Sequence, residues 1–122
     1  MKLHLTSAPD NQLITGYGEG WVEINRLRFS RSLIVMPDAI IHDWEISDFG
    51  HLMAEHFAKL AELKPEVVLL GTGKTQCFIH PSLSRALTEA GIGVECMDTA
   101  AACRTYNFLM AESRRVAALL II

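Results

Sequence analysis

Residues 66–74 read Glu-Val-Val-Leu-Leu-Gly-Thr-Gly-Lys, and this stretch decides the fold. A short, unbroken apolar run bounded by turn residues fits a strand buried on both faces. Pro65 precedes it and the loop Gly71-Thr72-Gly73-Lys74 follows. Downstream, Ser82 is expected to cap a short helix with Leu83, Ala86, Leu87 and Ala90 turned inward, stopped by Gly91. Val94 to Met97 reads as a second strand. Asp98-Thr99 then caps a helix from about Ala100 to Glu112. Val116 to Ile122 is apolar throughout, as a strand covered on both faces should be. Strand, helix, strand, helix, strand predicts an α/β sheet with crossover helices.

Upstream of this stretch lies a strong helical period. Phe49, Leu52, Met53, His56, Phe57, Leu60 and Leu63 recur at spacings of one, three or four, predicting one apolar face on a helix opened by Ser47-Asp48 and ended near Pro65. Before it the pattern is β. Leu13 to Tyr17 and Trp21 to Ile24 flank Gly18-Glu19-Gly20, a hairpin signal. Asn25-Arg26 marks another turn, and Ser32 to Met36 is an apolar strand stopped by Pro37-Asp38. Ala39 to Trp44 resumes extended character. This amino-terminal β-hairpin is expected to form an added β layer or an extension of the sheet. Arg26, Arg28 and Arg31 make a local basic cluster; on an extended chain Arg26 and Arg28 share a face, as a solvated strand edge that resists aggregation.

A chain of 122 residues has the size of one domain, spanning 1–122. Half of it is hydrophobic and 20% charged, enough for a packed core without a metal or disulfide. A net charge of −3 supplies no field to recruit nucleic acid. Cys77, Cys96 and Cys103 are an odd number without metal-ligand or redox spacing, which fits reduced, cytoplasmic life. Met1 to Asp10 has no apolar run of leader length. The run from Val116 to Ile122 falls far short of the ~20 residues a membrane span needs, so stable membrane insertion is not expected.

Gly73-Lys74-Thr75 has the ending of a phosphate-binding P-loop. That motif needs a glycine five residues before Gly73, where Val68 stands inside the strand, so a P-loop is rejected. Glycines after a strand can still turn N–H groups toward a small anion, with Lys74 supplying charge. If the strands at 66–70 and 94–97 are parallel neighbours, their carboxyl ends bring Thr72 to Lys74 beside Asp98-Thr99, where open α/β sheets bind ligands. The helix starting near Ala100 would face the same cleft with free N–H groups, and Ala100 to Ala102 would permit close approach. The other reading of these residues is a tight turn in which Lys74 pairs with Asp98.

Arg104-Thr105-Tyr106-Asn107, followed by Glu112 and Arg115, forms a second polar group. On a helix Arg104 shares a face with Asn107 or Phe108, Tyr106 lies with Ala102 and Leu109, and Glu112 can reach Arg115. These residues either anchor a ligand or partner, or satisfy loop and hairpin carbonyls. The histidines assemble no metal site: His51 and His56 point to different sides of a helix, and His42 and His80 are isolated. No Gly-x-Ser-x-Gly elbow is present, and nothing lowers the Cys77 thiol near His80. Neither a catalytic residue nor a cofactor is expected.

Several strings together resemble the Mth938-like domain family. They are Leu69-Leu70-Gly71-Thr72-Gly73-Lys74, Gly91-Ile92-Gly93-Val94-Glu95, Met97-Asp98-Thr99, Ala102, Arg104-Thr105-Tyr106-Asn107, Leu109, Glu112, Arg114 or Arg115, and Val116-Ala117-Ala118-Leu119, with the earlier Asn25, Ser32-Leu33 and Trp44. The resemblance spans nearly the whole chain. It implies a three-layer α/β fold with a central mixed sheet and an extra β layer. The family includes mitochondrial complex I assembly factor 3-type proteins, carries no established catalytic activity, and acts, in its mitochondrial members, through protein contacts. This chain is similar to a bacterial, free-standing version without a presequence. The family's recurrent polar positions fall at Gly71, Thr72, Gly73, Lys74, Asp98, Thr99, Arg104, Thr105, Asn107 and Glu112. The resemblance implies a non-enzymatic interaction or assembly-type protein with a protein partner. The alternative is a small-molecule or anion-binding domain, or an undescribed enzyme, with its cleft at the Gly71–Lys74 and Asp98–Thr99 loops.

Overall fold

The structure, a computed structural model, describes residues 11–42, 46 and 48–122. Expectations that rest on Met1 to Asp10, Trp44 and Ser47 lie outside the described residues.

Three short strands open the described chain as an antiparallel meander: β1 (Ile14–Gly18), β2 (Trp21–Ile24) and β3 (Leu27–Phe29). Gly18 faces Trp21 across a two-residue loop, Glu19-Gly20, whose glycine sits at φ +81°. Trp21 lies flat on β1: a Cβ on Gly18 would fall 2.5 Å from the indole nitrogen, so only glycine admits the ring. The guanidinium of Arg28 covers the indole, 3.8 Å from the ring centroid.

The next turn holds Asn25 and Arg26 at φ 49° and 72°, the left-handed pair that matches the twist of a tight hairpin. Asn25 secures it, accepting from Leu13 N–H at 3.1 Å and donating to Asn11 C=O at 3.0 Å. Arg26 is therefore a turn residue, 4.0 Å from Glu23. The expected shared strand face for Arg26 and Arg28 does not form.

The central sheet has five strands: β4 (Leu33–Met36), β5 (Ala39–Ile41), β6 (Val67–Gly71), β7 (Gly93–Met97) and β8 (Val116–Leu120). Their order is β5-β4-β8-β6-β7. β8, β6 and β7 run parallel, while β4 is antiparallel to both its neighbours, giving a mixed sheet. Side-chain alternation sends Leu33, Val35, Leu69, Val116, Ala118 and Leu120 to one face, where they pack with the meander and the helix α3 (Thr99–Ala111). Ile34, Met36, Val68, Leu70, Ala117 and Leu119 point to the other face, against α1 (Ala54–Glu62) and α2 (Arg85–Glu89). The result is three layers around two apolar cores, as the run of buried residues in β8 requires.

Two helical expectations are corrected. The helix read from Ser47 onward is broken: Phe49–His51 is a single 3-10 turn, Leu52 is extended, and α1 starts only at Ala54. Leu52 reaches the core from that extended segment, and the Met53 N–H donates to His56 Nδ1 at 2.9 Å to start α1. Met53, expected inward, is 52% exposed. Lys64 at φ 54° and Pro65 close the region as expected. In α2 the cap position belongs to Ser84, because Ser82 is drawn into a 2.8 Å hydrogen bond with His80 Nδ1. Gly91, at φ 76°, ends that segment.

The two crossovers place the site. After β6 the chain passes through α2 on one face of the sheet; after β7, its neighbour, it passes through α3 on the other. Connections that leave adjacent strand ends for opposite faces open a crevice between them.

Candidate functional site

The loops after β6 and β7 meet at one end of the sheet. Gly71 is in register with Met97, and the Thr72 N–H donates to Met97 C=O at 2.8 Å. A reciprocal pair joins the next residues: Thr99 N–H donates to Gly73 C=O at 2.9 Å, and Gly73 N–H to Thr99 Oγ1 at 2.8 Å. The Thr99 hydroxyl then donates to Ile121 C=O at 2.6 Å, tying in the end of β8. The Thr72 hydroxyl donates to Thr75 C=O at 2.6 Å and accepts from Cys77 N–H at 3.1 Å. Both hydroxyls use donor and acceptor capacity within the chain.

Close helix-to-sheet contact explains the small residues. A Cβ on Gly71 would lie 3.1 Å from Ala102 Cβ and from Thr99 Cα, so Gly71 and Ala102 together seat the first turn of α3. Asp98 caps that helix as expected, accepting from Ala101 N–H at 2.8 Å; a carboxylate at a helix amino terminus also complements its dipole.

Above these loops lies a cleft of about 780 Å³, walled by the hairpin tip, the turn at 48–49, the 72–77 loop, the start of α3 and the end of β8. Its apolar surface comes from Tyr17, Trp21, Phe49, Ala100, Ile121 and Ile122. Lys74 pairs with Glu19 at the hairpin tip, not with Asp98 as the tight-turn reading supposed. This hydrogen-bonded pairing raises the ammonium of Lys74 above its ordinary pKa and holds the Glu19 carboxyl below its own.

The second polar group divides. Arg104 donates to the Tyr17 hydroxyl at 2.9 Å and sits 6.0 Å from that ring centroid, bordering the cleft through its wall. The same hydrogen bond raises the Arg104 pKa. Asn107 turns to the hairpin, as the structural alternative supposed: its Nδ2 donates to Ile14 C=O at 2.7 Å and its Oδ1 accepts from Ile14 N–H at 3.0 Å. Thr105 is half-buried on α3 and Glu112 is its exposed C-cap. The expected reach of Glu112 to Arg115 is replaced, because Arg115 donates to Asp38 at 3.2 Å and to Leu63 C=O at 3.1 Å. Thus Thr72, Gly73, Lys74, Asp98 and Thr99 converge on the cleft with Gly71 beneath, while Thr105, Asn107 and Glu112 stand outside its lining.

The aromatic walls, Tyr17, Trp21 and Phe49, escaped the reading of the sequence, as did Glu19 as partner of Lys74. Their one signal was the Gly18-Glu19-Gly20 turn, which projects a hairpin tip without saying what it covers. Burial pushes the Cys103 thiol up to about 12 and raises that of Cys96. Cys77 lines the cleft beside Thr75. Among the described residues, no three histidine, cysteine or acidic side chains gather as metal ligands.

Residues 14–121 match the model of a family described as "Protein of unknown function (DUF498/DUF598)". The chain belongs to that family. A solution structure of a Mth938-like domain from Bordetella pertussis is 37% identical and superposes with a TM-score of 0.82, covering 98% of this chain and 91% of that one. The Mth938-like resemblance and its three-layer fold therefore hold. The NADH dehydrogenase (ubiquinone) 1 alpha subcomplex assembly factor 3 of Bos taurus is 31% identical over 116 residues, 93% of this chain and 62% of the relative's length. The chain thus spans less than two-thirds of that family member. A protein of Francisella tularensis named 13 kDa major membrane protein is 27% identical over 106 residues, 86% of each chain. No helix among the described residues is long and apolar enough to cross a membrane.

Proposed function

We propose that this chain is a non-enzymatic interaction domain of the assembly-factor kind, which holds a segment of a partner protein in the cleft between the hairpin tip and the start of α3. The observation that carries this reading is the cleft's make-up: apolar walls above a loop whose hydroxyls already bond within the chain. Apolar surface of this kind recognises side chains of another polypeptide. The alignment of an assembly factor over 93% of the chain supports the same reading. In it, Lys74 and Asp98 face the partner, Arg104 steadies the Tyr17 wall, and Gly71, Thr72, Gly73 and Thr99 fix the floor. Thr105, Asn107 and Glu112 support the scaffold. We further propose that residues 1–122 form a single domain working in the cytoplasm, where free Cys77, Cys96 and Cys103 suit a reducing compartment.

One observation favours a second reading, a small-molecule or anion site. A cleft of about 780 Å³ at the crevice between strand ends matches where, and at what size, open α/β sheets bind ligands.

A photo-crosslinking residue placed at Lys74 is expected to capture a discrete partner in cells, while the same residue at Glu89, on α2 across the sheet, captures none. Equal labelling from both positions refutes the cleft as the seat. A thermal-shift screen with phosphate, nucleotides and small acids separates the second reading. A ligand at 100 times its Kd adds ~2.7 kcal/mol of stability, and that gain should vanish in Lys74→Ala if an anion binds there.

A further inference from the structure

Resting on the interaction reading, we propose that the segment held in the cleft is apolar and positively charged, carrying lysine or arginine among its hydrophobic side chains. Among the described residues, three side-chain carboxylates border the cleft, those of Glu19, Asp48 and Asp98, against one ammonium, that of Lys74. Glu19 and Lys74 offset each other at the hairpin tip. Asp98 uses Oδ1 on the α3 cap, and Asp48 shares its Oδ1 with the His51 ring at 2.7 Å. An ionised carboxylate has about four acceptor sites, so each can also accept from an incoming cation. Arg28 and Arg104 lie outside the lining, one stacked on Trp21 and the other engaged with Tyr17.

The aromatic wall points the same way. Arg28 stacks on Trp21 and Arg104 lies by Tyr17, so this rim already draws guanidinium groups from the chain itself, as ring faces do. An anionic segment entering here would bring its charge against the carboxylates of Asp48 and Asp98 beside apolar surface, where like charges are costly. A cationic one would meet complementary charge at the rim while its apolar side chains cover Phe49, Ile121 and Ile122.

The test uses fluorescently labelled nine-residue peptides, blocked at both ends, with the full chain in an anisotropy titration. One alternates leucine with lysine, one leucine with glutamate, and one serine with lysine. The leucine–lysine peptide is expected to bind at least tenfold more tightly than either of the others, with an advantage over leucine–glutamate that shrinks as salt screens the charges. The variant Glu19→Gln/Asp48→Asn/Asp98→Asn keeps the side-chain shapes and the Asp98 cap acceptor, and should abolish that preference. Its circular dichroism and thermal midpoint confirm folding, and Asp48→Asn alone, away from the α3 cap, provides a milder variant expected to lower the preference in part.

Equal or tighter binding of the leucine–glutamate peptide overturns the proposal. So does a preference that survives the triple substitution, which would reflect the overall charge of the chain. If no peptide binds while a crosslinker at Lys74 still captures a partner, the charge assignment falls and the interaction reading stands. If the crosslinker also captures nothing, both fall.

Discussion

Replacing Asn107 by leucine should loosen the hairpin from α3, and the structure sets the size of the effect. The Asn107 side chain supplies one donor and one acceptor to Ile14, at 2.7 and 3.0 Å, across 93 positions of sequence. Ile14 begins the edge strand β1 and is 5% exposed, so in Asn107→Leu its N–H and C=O lose their partners in a poorly hydrated place. Leaving such a group unsatisfied costs about 1–3 kcal/mol. Both bonds are only part-buried, which argues for the lower end, about 2–3 kcal/mol for the two. For a chain of this length that corresponds to a fall in Tm of roughly 6–15 °C. Urea unfolding at unchanged m measures the free energy, and hydrogen exchange should show the Ile14 amide losing protection before that of Leu69 in the central sheet. Asn107→Asp, which keeps the acceptor but not the donor, should fall between. A change below about 0.5 kcal/mol would refute this account. A stable Asn107→Leu that no longer captured its partner would return Asn107 to the binding surface.

Thr99→Val removes the hydroxyl that joins Gly73 N–H to Ile121 C=O and should cost about 2 kcal/mol by urea unfolding; Thr99→Ser, which keeps that oxygen, should stay within about half of that loss. Iodoacetamide at pH 8 should modify half-buried Cys77 in the native protein well before Cys103, whose burial raises its thiol to about 12, and urea should erase the difference. Early labelling of Cys103 would contradict its packing. Because Lys74 holds Glu19 below its ordinary pKa, their ion pair contributes fully above the ordinary carboxylate range and is lost as the pH falls through the depressed folded value. A carboxyl-carbon NMR titration should find the Glu19 midpoint shifting upward in Lys74→Ala; an unmoved midpoint would mean that the pair does not form in solution.

The layers were legible because burial on both faces leaves a plain trace. Val67 to Leu70 and Val116 to Leu120 are apolar at every position, which only a covered strand tolerates, and Asp98 before Thr99 fixed the start of α3 by cap chemistry. The broken helix was not legible. Phe49, Leu52, Met53 and His56 satisfy a helical period, yet Leu52 reaches the core from an extended backbone and His56 serves as acceptor for the Met53 N–H. Period reports which residues are inward, not which backbone carries them there. Arg26 misled for a related reason. A tight left-handed turn usually announces itself by Asn-Gly, whereas Asn25-Arg26 relies on contacts from Asn25 to residues 11 and 13. Glu19 and Lys74 are 55 positions apart (74 minus 19), and no local pattern joins them.

The Gly-Thr-Gly-Lys loop looks like a ligand motif, but its geometry assigns most of it to construction. Thr72 and Thr99 place their hydroxyls between backbone groups of three strand ends, and Gly73 N–H is already given to Thr99. An anion seated on those groups would have to break bonds whose loss leaves partly buried carbonyls unpaired, a cost that a single new contact does not offset. Lys74 is the exception, since its partner Glu19 is as exposed as it is, and exposed ion pairs hold weakly. The floor of the cleft is therefore tied by internal hydrogen bonds and its rim by one exposed ion pair: in the proposed interaction the Glu19–Lys74 contact opens to admit a segment while the strand ends stay fixed. On the proposed interaction reading, recognition then rests on the aromatic and aliphatic walls and on the rim charges. The hairpin tip supplies half of that rim, so changes in the Gly18-Glu19-Gly20 turn should alter which partner is held while leaving the central sheet intact.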